Sequence, residues 1–127
     1  MNKYRLYVIL VVSALIVVIY GCADHNIEEP VVTCEGVAEI SFNDNVKPII
    51  EAKCAIVGDG GCHNGGNGPD LNWTVFSNFQ ERGADGTLQD RITRASGEDG
   101  KMPKIGELSA LELQTLFCWA EQGAQNN

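Results

Sequence analysis

The sequence predicts an all-α fold of three to four short helices, and three observations favour it. Apolar residues recur at helical spacing in several segments, alternating strand patterns are almost absent, and a complete helix-start signal stands near the C-terminus. Glycines, of which the chain has 14, separate these segments. With 127 residues, the chain has room for one small domain.

The first predicted helix leads straight into Cys54. Its residues at helical spacing are Val46, Ile49, Ile50 and Lys53. Pro48 is expected in the first turn, where its missing N–H costs nothing. Asn45 is therefore the predicted cap.

Two further short helices are expected in the middle of the chain. One fits Thr74 to Arg82 and is stopped by Gly83, and the next fits 87–95. Thr87 precedes Asp90 by three residues, which imitates a capping box. One face of the second of these helices is shared by Leu88, Ile92 and Ala95.

The last helix has the clearest signals. Ser109 is its predicted cap, Glu112 completes a capping box, and Gly123 ends it. Leu108 and Leu113 are placed as a hydrophobic staple. The predicted buried stripe consists of Leu113, Leu116, Phe117 and Ala120, and Trp119 is expected in the core as well.

The N-terminus reads as a targeting segment rather than as part of the fold. Lys3 and Arg5 precede an apolar run, 6–20, that is shorter than the roughly 20 residues of a spanning helix. The stretch VVIYGC resembles a bacterial lipoprotein cleavage box, which makes 1–21 a signal peptide and Cys22 the lipidated residue. An uncleaved signal anchor is the alternative. Both place the domain outside the cytoplasm and attached to a membrane.

Residues 22–38 are predicted to be a flexible tether, and 39–127 the domain. The chain has a net charge of −8, and without the two basic residues of 1–21 it keeps 7 basic and 17 acidic residues. This charge argues against nucleic acid as a partner and suits docking on basic protein patches. Alternatively, it only maintains solubility.

The stretch CAIVGDGGCHNGGNGPDL, residues 54–71, carries the chemistry. So long a segment with little apolar content indicates that a cofactor or disulfides support the domain. Cys62 and His63 are neighbours, so their side chains diverge and do not readily ligate one small ion. They suit a large flat ligand that a Cys bonds at its rim and a His reaches at its centre. Two Cys followed directly by His is the attachment signature of c-type haem.

Residues 40–125 resemble a class I cytochrome c domain: a helix, Cys-His, Gly-Pro-x-Leu, Met-Pro and a C-terminal helix follow in order. The resemblance implies one haem c, bonded by Cys54 and Cys62, with His63 and Met102 as iron ligands. It also implies that the Pro69 carbonyl orients His63 and that Leu71 packs on the haem. Met102 is the one methionine left once the signal is removed.

The seven residues between Cys54 and Cys62 depart from the usual spacing of two. A wider loop costs only about 1 kcal/mol of closure entropy, so the physics permits it. One thioether, from Cys62 alone, is the alternative attachment.

A rival interpretation keeps the domain without haem. Cys54 and Cys62 would then form a disulfide in an oxidising compartment, giving a stapled binding or structural domain. In both interpretations a Cys34–Cys118 disulfide is expected, and two unpaired thiols are its alternative.

Two iron ligands from the protein would leave no open position for peroxide or oxygen. We therefore expect an electron carrier rather than an enzyme, with redox proteins, mostly at the membrane, as partners. A small haem peroxidase is the remaining alternative, and it requires Met102 to stay off the iron.

Overall fold

A computed structural model describes residues 31–56, 62–66 and 71–127. The predictions for the signal peptide, for Cys22 and for Pro69 lie outside these residues. The described residues form four helices and no strand, in agreement with the predicted helical class. In this part of the chain, none of the helices has the length and apolarity that a bilayer-spanning helix needs.

Helix α1 is a continuous run of three pieces: a π-helical turn Phe42–Val46, an α-helical turn Lys47–Ile49 and a π-helical turn Ile50–Cys54. Ser41 is its cap, and the Ser41 Oγ accepts from the Asp44 N–H at 3.3 Å. The predicted cap, Asn45, is wrong, because its side chain instead reaches back and accepts from the Ser41 N–H at 2.9 Å. The helix thus begins earlier than expected, and Pro48 lies inside it.

Helix α2 spans Phe76–Ala84. The predicted start at Thr74 was two residues early, and the predicted stop at Gly83 is wrong. Gly83 is buried within the helix, where an added Cβ would stand 2.8 Å from the Trp119 ring. This glycine therefore allows two helices to approach closely instead of ending one.

Helix α3 spans Thr87–Thr93, and Leu88 and Ile92 face the core as predicted. The predicted Thr87–Asp90 capping box is wrong, because Thr87 is already the first helical residue. The Thr87 N–H donates to the Asp85 Oδ1 at 2.8 Å, so Asp85 supplies the capping oxygen. These hydrogen bonds to Thr87 lower the pKa of the Asp85 carboxyl.

Helix α4 spans Ala110–Glu121 and confirms the prediction for Ser109. The Ser109 Oγ accepts from the Glu112 N–H at 3.2 Å, and the Glu112 carboxylate accepts from the Ser109 N–H at 2.7 Å. Cys118 on this helix is bonded to Cys34, which confirms the expected disulfide and fixes the segment before α1 on α4.

The core lies where α1, α2 and α4 meet. Its largest fully buried side chains are Trp119, Phe42, Phe79, Ile50, Leu116, Val46 and Cys118. Phe79 and Trp119 stack with their ring centroids 5.3 Å apart, and Phe42 closes the group 5.8 Å from Trp119. This cluster joins the first turn of α1 to α4, and near Cys54 the Lys53 ammonium donates to the Glu107 carbonyl at 3.2 Å and lies 3.6 Å from the Glu112 carboxylate.

Candidate functional site

The end of α1 and the Cys62-His63 dipeptide are held together by the backbone. The His63 N–H donates to the Cys54 carbonyl at 3.1 Å, and the Trp73 N–H donates to the His63 carbonyl at 3.0 Å. An isolated antiparallel bridge between Asn64 and Asn72 continues the second contact. The segment therefore folds back on itself, and two residues of the predicted haem motif, Cys54 and His63, lie side by side.

The His63 imidazole stacks on the indole ring of Trp73. Its ring centroid lies 3.3 Å from that of Trp73, with 12° between the planes. Both ring nitrogens are buried and have no hydrogen-bond partner among the described residues. Burial lowers the pKa of His63, so the imidazole is held in its neutral form. A neutral imidazole with unused nitrogens is the form that binds a metal.

The Cys54 thiol lies in the same region. Burial, then the neighbouring Cys62, then Glu112 raise the pKa of Cys54 to about 12. Cys62 is thus close enough to Cys54 to contribute to the raised pKa of the Cys54 thiol. Both are thiols rather than partners in a disulfide. A thiol with so high a pKa is a poor nucleophile at neutral pH.

Met102 and Cys54 border the same cavity. A cavity of about 20 Å³, lined by apolar atoms, has Cys54, Trp73 and Met102 in its wall. The remaining wall is formed by Arg82, Thr87, Leu88, Arg91, Ile92, Pro103 and Leu108. Trp73 is therefore the link, because it touches His63 with one face and borders the Met102 cavity. The structure brings Cys54, Cys62, His63 and Met102 to one region of the molecule.

Two further residues of the predicted haem site are Leu71 and Pro69. Leu71 is half-buried just after the undescribed segment 67–70, which contains Pro69. Sequence reasoning missed Trp73, although it borders both the imidazole and the cavity. The available signal was an aromatic residue only two positions after the Gly-Pro-x-Leu motif.

The side chains gathered in this region are of the types that a c-type haem uses, but the space between them is small. Two thiols and a neutral imidazole lie together, a thioether stands nearby, and the surrounding walls are apolar. A cavity of about 20 Å³ has room for one water molecule. A porphyrin therefore fits only if the walls around Trp73 and Met102 move apart.

A small-ion site is not favoured by the same residues. Within 31–56, 62–66 and 71–127, no group of three or more His, Cys, Asp or Glu side chains is arranged to hold a metal ion.

Comparisons of the chain with protein-family models, with curated proteins and with solved structures gave no significant match. The site must therefore be interpreted from its own residues.

Proposed function

We propose that this chain is a membrane-tethered, extracytoplasmic electron carrier that binds one c-type haem. The supporting observation is the convergence of the donor atoms. Cys54 and His63 are joined by a backbone hydrogen bond, the imidazole is buried with both nitrogens unused, and Met102 lines the cavity that Cys54 borders. Leaving a buried polar atom without a partner costs about 1–3 kcal/mol, so a ligand that engages one of these nitrogens recovers free energy.

In this proposal each residue has a separate task. Cys54 and Cys62 would bond the haem through thioethers, and His63 and Met102 would ligate its iron. When bound, haem supplies a one-electron iron couple whose potential is raised by thioether ligation. The backbone hydrogen bonds of His63 and the Trp73 ring restrict how the imidazole can turn. The Trp73 indole N–H, which has no partner among the described residues, can donate to a haem carboxylate.

The same arrangement disfavours turnover chemistry. Two protein ligands leave the iron no open position, so the proposed protein passes single electrons and does not activate peroxide. The cavity that Met102 borders has room for no more than one water molecule. The lipid on Cys22 and the tether would let the domain swing between redox proteins at the membrane, which raises their effective concentration.

The test is the absorption and mass of the full-length protein, exported in a bacterium with haem c maturation enzymes. We expect a c-type pyridine haemochrome spectrum and a mass increase of one haem. Cys62→Ala and His63→Ala should lose it, whereas Lys104→Gln, at an exposed position, should retain it. A colourless wild-type protein, with Cys54 and Cys62 joined in a disulfide, would establish the haem-free structural domain instead.

The assignment of Met102 needs a second measurement on the haem-loaded protein. We expect the long-wavelength absorption band of a methionine-ligated ferric haem in the wild type and its loss in Met102→Ala. A wild-type protein with haem but without this band, and with peroxide-dependent oxidation of a dye, would favour the peroxidase alternative.

A further inference from the structure

Four hydrogen bonds tie the segment 99–102 to the last turn of α3. In two of them the segment donates: the Met102 N–H to the Arg91 carbonyl at 2.9 Å, and the Lys101 Nζ to the Ile92 carbonyl at 2.7 Å. In the other two, Arg91 of α3 and its C-cap residue Arg94 donate: the Arg91 Nη1 to the Gly100 carbonyl at 3.4 Å, and the Arg94 Nη1 to the Asp99 carbonyl. We call these contacts the α3 clamp.

The clamp uses groups that a helix end leaves unpaired. The carbonyls of Arg91 and Ile92 belong to the last turn, where no intrahelical N–H reaches them. Here the loop supplies the missing donors. The Lys101 ammonium also lies at the negative end of the helix dipole, which favours a cation. The loop therefore caps the helix, and the helix in turn fixes the loop.

The arginines of the clamp are themselves held. Asp90 accepts from the Arg94 Nη2 at 2.7 Å and from its Nε at 3.3 Å, and lies 3.6 Å from the Arg91 Nε. One carboxylate thus orients both guanidinium groups toward the loop. Because these ion pairs are partly exposed, they contribute little to the free energy of unfolding, and their main effect is to orient the two guanidinium groups.

Gly100 is required by this geometry. Its φ is +79°, in the left-handed region, and a Cβ there would meet the guanidinium groups of Arg91 and Arg94. A side chain at this position would both strain the backbone and displace the arginine that holds it. The tight approach of the loop to α3 therefore depends on a residue without a Cβ.

We propose that the α3 clamp is a positioning device for Met102: its thioether leaves the site only when the contacts of Arg91, Arg94 and Gly100 open. Arg91 and Ile92 border the same cavity as Met102, so the anchor and the ligand face one space. The inference rests on the proposed function, in which Met102 is an iron ligand. In this inference, residues that do not contact the iron control how readily another ligand replaces the Met102 thioether.

The test is titration of the ferric, haem-loaded, full-length protein with imidazole, which competes with the thioether. We expect Arg91→Gln and Gly100→Ala each to bind imidazole about tenfold more tightly, since each weakens a charge-assisted hydrogen bond. Lys104→Gln removes one positive charge two residues beyond Met102 and should match the wild type within about twofold.

A merely structural role is tested with Gln122→Ala. Gln122 accepts from the Ile40 N–H at 2.9 Å and donates to the Ala38 carbonyl at 3.1 Å, so its loss weakens the fold far from the clamp. We expect this variant to unfold more easily and to bind imidazole as the wild type does. If it gains affinity as Arg91→Gln does, or if Arg91→Gln behaves as Lys104→Gln does, the positioning role is refuted.

Failure of the haem proposal would be visible separately, as a colourless wild-type protein. In that protein the clamp is measured by hydrogen exchange of the Met102 amide. We expect this exchange to be about tenfold faster in Arg91→Gln than in Lys104→Gln. Equal exchange in the two variants would overturn the clamp whether or not haem is present.

Discussion

Two regions of the molecule contain similar side chains but differ in whether their buried polar atoms have hydrogen-bond partners. We call the region around Trp119 the α4 side and the region around His63 and Trp73 the site side. On the α4 side, Trp119 is fully buried and its indole N–H donates to the Gln125 carbonyl at 3.0 Å. On the site side, the indole N–H of Trp73 and both nitrogens of His63 are buried without partners among the described residues. On the α4 side the protein itself supplies the hydrogen-bond partner of the buried indole, whereas on the site side three buried nitrogens remain available to a ligand.

This difference supports placing the candidate functional site at His63 and Trp73. Buried polar groups in folded proteins are almost always paired, and exceptions concentrate at functional sites. The α4 side also carries the capping box of Ser109 and the disulfide to Cys34. Stability is therefore supplied mainly by the α4 side, which allows the site side to keep groups that cost stability.

The largest expected effect comes from breaking the α4 side. We expect the double variant Cys34→Ala, Cys118→Ala to lose about 4 kcal/mol of unfolding free energy, because this disulfide closes a loop with a sequence separation of 84. Urea unfolding of the haem-free protein measures the loss.

The matched control is the double variant Cys54→Ala, Cys62→Ala on the site side. Both residues are half-buried thiols, so this variant should lose only about 1 kcal/mol. A loss as large as that of the first variant would show that these cysteines also stabilise the fold covalently, and the contrast between the two regions would fail.

A smaller effect is expected from one chemical change made in both regions. Trp119→Phe removes a paired indole N–H from a fully buried position and should cost about 2 kcal/mol. Trp73→Phe removes an unpaired N–H and keeps an aromatic face for His63, so the unfolding free energy should change by less than about 0.5 kcal/mol. Urea unfolding of the two haem-free variants compares them. Equal losses would mean that Trp73 is as fully integrated in the fold as Trp119.

The sequence predicted features that depend on near neighbours. Ser109 and Glu112 are three residues apart, so their capping box is visible in the chain, and α4 was placed correctly. Cys34 and Cys118 were the pair left once the other cysteines had predicted roles, and the structure confirms their disulfide. The helical class followed from the spacing of apolar residues.

Features that depend on distant packing could not be predicted in the same way. Gly83 was taken as a helix stop, although the Trp119 ring, far along the chain, is what requires a glycine there. Trp73 contacts His63 because the chain folds back between His63 and Asn72, and this fold-back is not visible in the sequence. At the start of α1, Ser41 and Asn45 are both of residue types that commonly cap helices, and only the course of the backbone makes Ser41 the cap.

The smallest expected effect is a pH dependence that isolates His63. Burial holds its folded pKa below the ordinary 6.5, so below pH 6.5 the unfolded chain binds a proton that the folded chain does not. The stability contributed by neutral His63 is thus fully present above pH 6.5 and is lost as pH falls through the folded pKa. The carboxyls of Asp85 and Glu112, also lowered in pKa, begin from 3.8 and 4.5 and act only at lower pH.

The measurement is the unfolding free energy of the haem-free protein at several pH values between about 7.5 and about 5. The same series is measured for the His63→Leu variant. We expect the wild type to lose stability relative to the variant as pH falls, because leucine binds no proton in either state. His25 and the carboxyl groups are common to both proteins and cancel in the difference. A difference that stays constant across the range would mean that the imidazole titrates alike in the folded and unfolded chains. The site side would then hold no buried neutral imidazole, and its contrast with the α4 side would lose its strongest support.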